Sequence, residues 1–540
     1  MQNAENMGHV RPDGSKTDGF CRSESGSMII FGLMIFVLML MVGGMAVDLA
    51  RYETQRARLQ STLDRAVLAA ASLDQPLTPS EVVVDYFTRE GLGAYIDPAD
   101  VEVVNTLTAR QVTATADQAV SHMFLGPLIQ LTNQWFLNEA TTIPQMTAVA
   151  AGTAEESASR TEISLVVDVS GSMAWDSSSG DSKISELRDA AIEFVNIMQC
   201  NPSDPSDTVN CTVEPDTVSI SLIPYAEYVQ AGEAILDEMN VTNEHTTSSC
   251  LYFEESTFDT VALDLSTTYQ RVAHFDPWRG EWSTPYRWAC RIQNLTPIQP
   301  FENEPADLRT VINGLSAGSY TSIDMGVKWG AAMLDPAFRP VVEGLVNSGN
   351  VAAAFEDRPF SYTENGIKKV LVVMTDGVNT TQNYLYDGFR EGPSGVWYNS
   401  YYDEYSIYRP STGRYYWTDH GHYHDHPQGD YESGTAVQLT FPELWQQVTM
   451  EWYEQWSWLP SPGSSEGRDF KNARLDEICS ATKDQNITIF AIGFEVTEES
   501  AAVMESCASS PAHFFDVEGA DLTDAFASIA RAISALRLVN

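Results

Sequence analysis

The chain has 540 residues and a formal net charge of −43 at pH 7, an excess of acid that repels phosphate backbones and excludes a role on nucleic acid. A hydrophobic share of 43% with 10% aromatics excludes a wholly disordered chain. The length predicts about three domains, each able to bury a core.

Residues 1–27 are polar, rich in Gly and Ser, and read as a disordered cytoplasmic tail. Residues 28–47 carry no charge and include Leu38-Met39-Leu40-Met41-Val42. As a helix this run spans about 30 Å, the hydrocarbon thickness of a bilayer. A signal peptide has a shorter apolar region and a small-residue cleavage site, so Gly43-Gly44-Met45-Ala46 notwithstanding, a retained single-span anchor is expected. Arg11, Lys16 and Arg22 precede the span while Arg51, Arg56, Arg58 and Arg65 follow it, which leaves orientation open on charge. The cysteines orient it better. Cys21 lies before the span, whereas Cys200, Cys211, Cys250, Cys290, Cys479 and Cys507 lie after it with no CxxC pair among them. An even set on one side fits disulfides in an oxidising compartment, so the large C-terminal part is expected to be exported. Six cysteines permit many connectivities; the economical one pairs sequence neighbours, Cys200–Cys211, Cys250–Cys290 and Cys479–Cys507.

After the span, residues 48–76 continue without Gly or Pro to Ala71, and Leu49, Tyr52, Leu59, Leu63 and Ala66 to Ala70 form a helical stripe. Residues 77–155 read as a small α+β spacer, with a helix at 80–90 and strands at 101–107, 111–116 and 145–151. The alternation in Val112-Thr113-Ala114-Thr115-Ala116 fits a half-exposed sheet.

From 161 to 540, continuously apolar strands (163–168, 218–224, 369–376, 487–494, 513–517) alternate with helices (182–200, 322–334, 471–483, 521–536). That pattern predicts an α/β, doubly wound parallel sheet with ligands at the carboxyl ends of its strands. Two stretches, 225–310 and 378–465, are too long for simple connections and read as insertions.

At the end of the strand at 163–168 stands Asp168-Val169-Ser170-Gly171-Ser172-Met173. One carboxylate and two hydroxyls at alternate positions converge only if the chain turns, and Gly171 permits the turn. Hard oxygens suit Mg²⁺ or Mn²⁺, with water or a partner's carboxylate completing the shell. Gly318-Ser319-Tyr320-Thr321-Ser322 runs into the next helix, and Met374-Thr375-Asp376-Gly377 ends another buried strand. Together the three segments resemble the von Willebrand factor A domain and its metal-ion-dependent adhesion site. The resemblance implies that Asp168, Ser170, Ser172, Thr321 and Asp376 hold Mg²⁺ (or Mn²⁺ or Ca²⁺), some of them through water. Ser172 and Thr321 are separated far more widely than in the family's compact form.

A second resemblance lies at the N-terminus. Glu24-x-Gly26-Ser27, the apolar span, Val47-Asp48-Leu49-Ala50-Arg51, and Leu59-Gln60-Ser61-Thr62-Leu63-Asp64-Arg65-Ala66-Val67-Leu68-Ala69-Ala70 are similar to the N-terminal segment of TadE/TadG-type Tad (Flp) pilus assembly proteins. Lys328-Trp329-Gly330 and Ala532-Ile533-Ser534-Ala535-Leu536-Arg537-Leu538 also look like the TadG-like group, which joins such an anchor to an A domain. The combination implies a non-enzymatic, single-pass protein of the bacterial inner membrane. Its C-terminal part would be periplasmic or extracellular, and it would bind other pilus-assembly or envelope proteins through an acidic residue at the ion. A stand-alone adhesin or glycan- or matrix-binding protein, or an envelope chaperone, is the alternative.

Other features carry less. His420, His422, His424 and His426 alternate, as one-face ligands for Zn²⁺, Cu²⁺ or Ni²⁺ would, yet a polar aromatic loop of this kind is more often surface. The Tyr and Trp residues of 384–458 fit either a glycan-gripping surface or a small core of the insertion's own, covered by one amphipathic helix at 441–458. No G-x-S-x-G elbow, Walker loop, HExxH or supported Cys–His pair appears, so no enzyme is expected.

Overall fold

The uncharged run and the charged stripe behind it form one continuous helix, Glu24–Ala71. Side chains from 28 to 47 are almost all exposed, as a helix bounded by lipid rather than protein would be, and this helix is long and apolar enough to cross a membrane. The computed structural model describes residues 24–72, 77–105, 109–127, 130, 145–157, 160–277, 284–292, 296–364 and 366–537. The tail to residue 23 with Cys21, the expected strand end at 106–107, and Trp278 and Trp282 lie outside the described residues. The chain divides into two compact units, Met1–Ala158 and Ser159–Asn540.

In the first unit the helix buries Leu59, Leu63, Ala66, Val67 and Ala70 against Val82, Val83 and Phe87 and against Val112, Ala114, Ala116 and Ala150. The partners come from a second helix, Pro79–Arg89, and a three-stranded antiparallel sheet, Val101–Asn105, Ala109–Val120 and Met146–Ser157. Pro79 at the first helical turn and the Thr78/Glu81 capping box start that second helix. The helical stripe beyond the membrane is therefore the spine of this unit's core, and the last two strands run longer than the alternation predicts.

The second unit is mixed α/β. Its sheet has six strands in the order Phe514–Val517, Thr488–Phe494, Ile367–Thr375, Arg160–Asp168, Val218–Tyr225 and Gln299–Glu302. All neighbours pair in parallel except the last, a short antiparallel edge strand that sequence periodicity did not reveal. Alternate side chains go to opposite faces. Leu165 and Val167 pack on the helices Lys183–Gln199 and Asp521–Arg537, while Val166 packs on the side of Ile323–Ala332 and Arg468–Asp484. Both faces are covered, which is why the central strands are apolar on both faces over 165–167 and 370–374.

The stretch at 378–465 carries a five-stranded antiparallel sheet, and its rings Trp445, Trp452, Tyr453 and Trp456 are buried in one core with the main sheet's helices. Instead of one helix at 441–458 there are two, Phe441–Trp445 and Met450–Glu454. Thr449 breaks the run, its side chain accepting the Trp452 N–H as an N-cap. The expected pairs Cys200–Cys211, Cys250–Cys290 and Cys479–Cys507 are the disulfides that form.

The helix Ile323–Ala332 lies unusually close to the sheet. A Cβ on Gly326 would stand 2.6 Å from Tyr225 Cδ1, and one on Gly330 would stand 2.5 Å from Val166 Cγ2. Ser164 Oγ donates to the Gly330 carbonyl at 2.6 Å across that contact. Gly330→Val is expected to cost about 1–3 kcal/mol by overpacking, read as a lower urea midpoint at unchanged m-value. An unshifted midpoint would show that the helix can lift away freely.

Candidate metal centre

Parallel pairing sets Val167 opposite Met374, so the two strands end together and deliver Asp168 and the Thr375-Asp376 pair to the same sheet edge. Asp168 is fully buried. Its Oδ1 accepts the Ser170 N–H at 2.8 Å, and its Oδ2 accepts Thr375 Oγ1 at 2.7 Å and the Tyr225 hydroxyl at 3.4 Å. Ser170 Oγ lies 3.3 Å from Ser172 Oγ, which donates to Asp376 Oδ1 at 2.6 Å. Lys183 Nζ, at the start of the next helix, reaches Asp376 Oδ2 at 3.2 Å and Glu495 Oε2 at 3.7 Å.

The loop bearing Thr321 is stitched to the first turn through its backbone. Gly318 N–H donates to the Val169 carbonyl and Gly171 N–H to the Ser319 carbonyl, both at 2.9 Å. A Cβ on Gly171 would lie 3.1 Å from that Ser319 oxygen, so the close approach depends on glycine there. Thr321 itself is buried; its N–H donates to Thr380 Oγ1 at 2.8 Å, and its carbonyl accepts from Lys471 Nζ at 2.7 Å. Lys471 also donates to Ser322 Oγ and the Thr380 carbonyl, fastening the Thr321 loop to the loop that follows the strand Ile367–Thr375. Asp168, Ser170, Ser172 and Asp376 thus form one hydrogen-bonded chain. Thr321 joins them as a wall of the same cavity as Ser172, without a side-chain bond to the other four.

Burial, and then the charge of Asp376, push the Asp168 carboxyl up to about 7, against the lowering effect of its hydrogen bonds. Glu227 behind the Thr321 loop is likewise raised to about 7 by burial, even though it accepts the Asn383 N–H at 2.7 Å and Ser319 Oγ at 3.3 Å. Two carboxylates with three hydroxyls are the hard-oxygen set that Mg²⁺ takes while keeping some of its water. A divalent charge would favour the ionised form of Asp168 against burial and the Asp376 charge, so the residues fit such an ion. Among the described residues no three His, Cys, Asp or Glu side chains are grouped to hold a metal. That includes the histidine strand. His424 stacks on Trp417 at 3.6 Å, His426 bonds Asp425 and Glu432, and His420 pairs with Asp419.

Sequence reasoning missed Tyr225, Thr375, Lys183, Glu227 and Lys471. Thr375 sits beside a predicted ligand and was findable from the strand pairing; Lys183 opens the helix next after the Asp168 turn and Lys471 enters from a distant one, and neither carries a sequence signal of its own.

Residues 26–73 match the Flp pilus-assembly TadE/G-like family, a match confined to the N-terminal helix and its immediate end. The chain is similar to the vWF domain of the type V pili tip protein Mfa5 from Porphyromonas gingivalis, at 14% identity and a TM-score of 0.31, over 70% of this chain and 97% of that one. It is also similar to the pilus adhesin SpaC from Lactobacillus rhamnosus GG (13%, TM-score 0.28, 80% of this chain and 33% of that). A third is the PilB minor pilin from Streptococcus sanguinis (13%, TM-score 0.28, 80% and 77%). At those scores the likenesses carry no weight for fold or function. No curated protein matches the chain.

Without metal, the folded Asp168 carboxyl keeps its proton to about pH 7, whereas in the unfolded chain it loses it near 4. Between those values the folded state binds the extra proton, so this group's contribution to stability falls as pH rises. In EDTA, the stability of wild type relative to Asp168→Asn is expected to decline across that window, measured by urea unfolding at successive pH values. A difference independent of pH would mean that Asp168 is ionised throughout.

Proposed function

We propose that this protein is a membrane-anchored, exported component of Tad/Flp-type pilus assembly that binds protein partners through a divalent-metal-dependent adhesion site. The observation that carries this is the hydrogen-bonded chain Asp168–Ser170–Ser172–Asp376 at one sheet edge, with Thr321 on the wall of the adjoining cavity. The strand order, and helices on both faces of a mostly parallel sheet, support a doubly wound von Willebrand A-type fold for 161–540 with insertions at 225–310 and 378–465. The N-terminal family match and the apolar helix support the pilus assignment and a single span at 28–47 in a bacterial inner membrane. Three disulfides support a periplasmic or extracellular location for the C-terminal part.

In this role Asp168, Ser170, Ser172, Thr321 and Asp376 hold Mg²⁺, or Mn²⁺ or Ca²⁺. The bound ion supplies an electrophilic point for a partner's Asp or Glu. The protein's own part is to exclude bulk water behind Asp168, to fix the two serines on one turn and to keep the Thr321 loop in place. No bond is made or broken, and the action is non-enzymatic.

The test is a pull-down from native membranes with wild type and Asp168→Ala, each in Mg²⁺ and in EDTA. Wild type in Mg²⁺ is expected to retain pilus or envelope proteins that both EDTA and Asp168→Ala remove, with circular dichroism of the variant unchanged. Equal recovery in EDTA would sink the metal-dependent role.

A further inference from the structure

Beside the candidate metal centre lies a cavity of about 710 Å³ that the metal site does not account for. Ser172 and Thr321 line it together with Trp175, Tyr286, Trp288 and Arg291. Among the described residues its lining holds Arg287 and Arg291 and no Asp or Glu, in a chain with 74 acidic and 31 basic residues.

Arg291 follows Cys290, whose disulfide to Cys250 ties down this part of the 225–310 insertion. Its Nη1 donates to the Gly318 carbonyl at 3.1 Å and to the Ser316 carbonyl at 3.4 Å. The guanidinium lies so close to the loop that a Cβ on Gly318 would stand 2.9 Å from Arg291 Cζ. Burial alone lowers its pKa, and no carboxylate pairs with it among the described residues. A half-buried guanidinium held only by neutral carbonyls has lost water without gaining a counter-charge, and its planar fork suits a carboxylate. The same loop carries Thr321, so this cation is fixed relative to the metal rim. Trp175 and Tyr286, 66% and 46% exposed, add large rings of the kind that anchor protein interfaces.

We propose that Arg291 is a second anchoring point for an acidic peptide segment: one carboxylate of the partner meets the ion and another, further along the same segment, enters the cavity and pairs with Arg291. This rests on the metal-site role above. A peptide is the occupant because that role already places a protein side chain at the rim, and charge complementarity requires an acidic one. The insertion thereby converts a general carboxylate site into one selective for segments with two acids at a set spacing.

The probes are synthetic Gly/Ser peptides bearing one Asp, or two Asp residues separated by spacers of increasing length. Binding to the full chain in detergent is followed by tryptophan fluorescence in Mg²⁺ and in EDTA. At one spacing the two-Asp probe is expected to bind wild type about tenfold tighter than the one-Asp probe. Arg291→Gln should abolish that advantage while leaving the one-Asp probe and its Mg²⁺ requirement unchanged, and Arg291→Lys should restore part of it. Unfolding midpoints of both variants check that the fold is kept. Equal affinity for all probes, equal weakening of both probe types by Arg291→Gln, no binding by any probe, or tighter binding of a uronate oligosaccharide would each overturn the proposal. Loss of the Mg²⁺ requirement with the Arg291 effect retained would fail the metal role and leave the cavity assignment standing.

Discussion

Two neighbouring parallel strands end side by side, one in Asp168 and the other in Thr375 with Asp376 next, and the protein must accommodate both carboxyl groups at one buried edge. Asp168 and Asp376 cannot both be ionised cheaply there, because desolvation and mutual repulsion act together. What the chain supplies in compensation is mostly neutral: hydroxyls from Thr375, Tyr225 and Ser172 and the backbone N–H of Ser170. Lys183 is the ammonium at hand, and it is shared between Asp376 and Glu495. One cation against three carboxylates leaves the edge short of positive charge. Neutral donors orient a carboxylate but do not cancel its field, so an arrangement this rigid is suited to a small, highly charged ion.

The rest of the second unit can be understood as what keeps that edge in register. Lys471, fully buried, bonds the Thr321 carbonyl, Ser322 Oγ and the Thr380 carbonyl, so one ammonium from the helix Arg468–Asp484 holds the loops from two sides. Arg474 on the same helix reaches Asp324 at 2.6 Å and Glu466 at 2.8 Å. Buried cations of this sort add little net stability, yet removing one of their partners leaves a large penalty. Gly326 and Gly330 act in the same sense by bringing the Thr321 helix directly onto Val166 and Tyr225.

The strands of the main sheet were legible because both of their faces are covered. Ile163 to Asp168 and Val370 to Met374 have no solvent side and so no polar alternation. The edge strand Gln299–Glu302 was not, since a short antiparallel edge needs no such composition. Asp168, Ser170 and Ser172 were readable from their spacing on one turn, whereas Lys183, Glu227 and Lys471 come from separate elements and acquire a role only in three dimensions. In the aromatic stretch, composition showed a cluster but not its purpose: burial of Trp445, Trp452 and Trp456 makes those rings core, while Tyr401 and Tyr431 stay exposed. The break at Thr449 was invisible to apolar periodicity because an N-cap interrupts hydrogen bonding without interrupting the stripe.

The net charge of −43 also bears on how such a site can work. An acidic partner approaching this chain meets repulsion at long range, but at physiological salt that field decays over about 8 Å. Inside that distance the local composition governs: beside the two aspartates, the cavity at Ser172 and Thr321 is lined by arginine and aromatic rings, with no carboxylate among its described lining residues. Affinity then depends on groups at the contact, while the surrounding acid raises the threshold for anything that cannot reach them. A weakly acidic surface passing by gains nothing to offset the repulsion; a segment that presents its carboxylate directly to the rim does. In the proposed role, repulsion over most of the surface and attraction at one edge would together give selectivity, and neither would suffice alone.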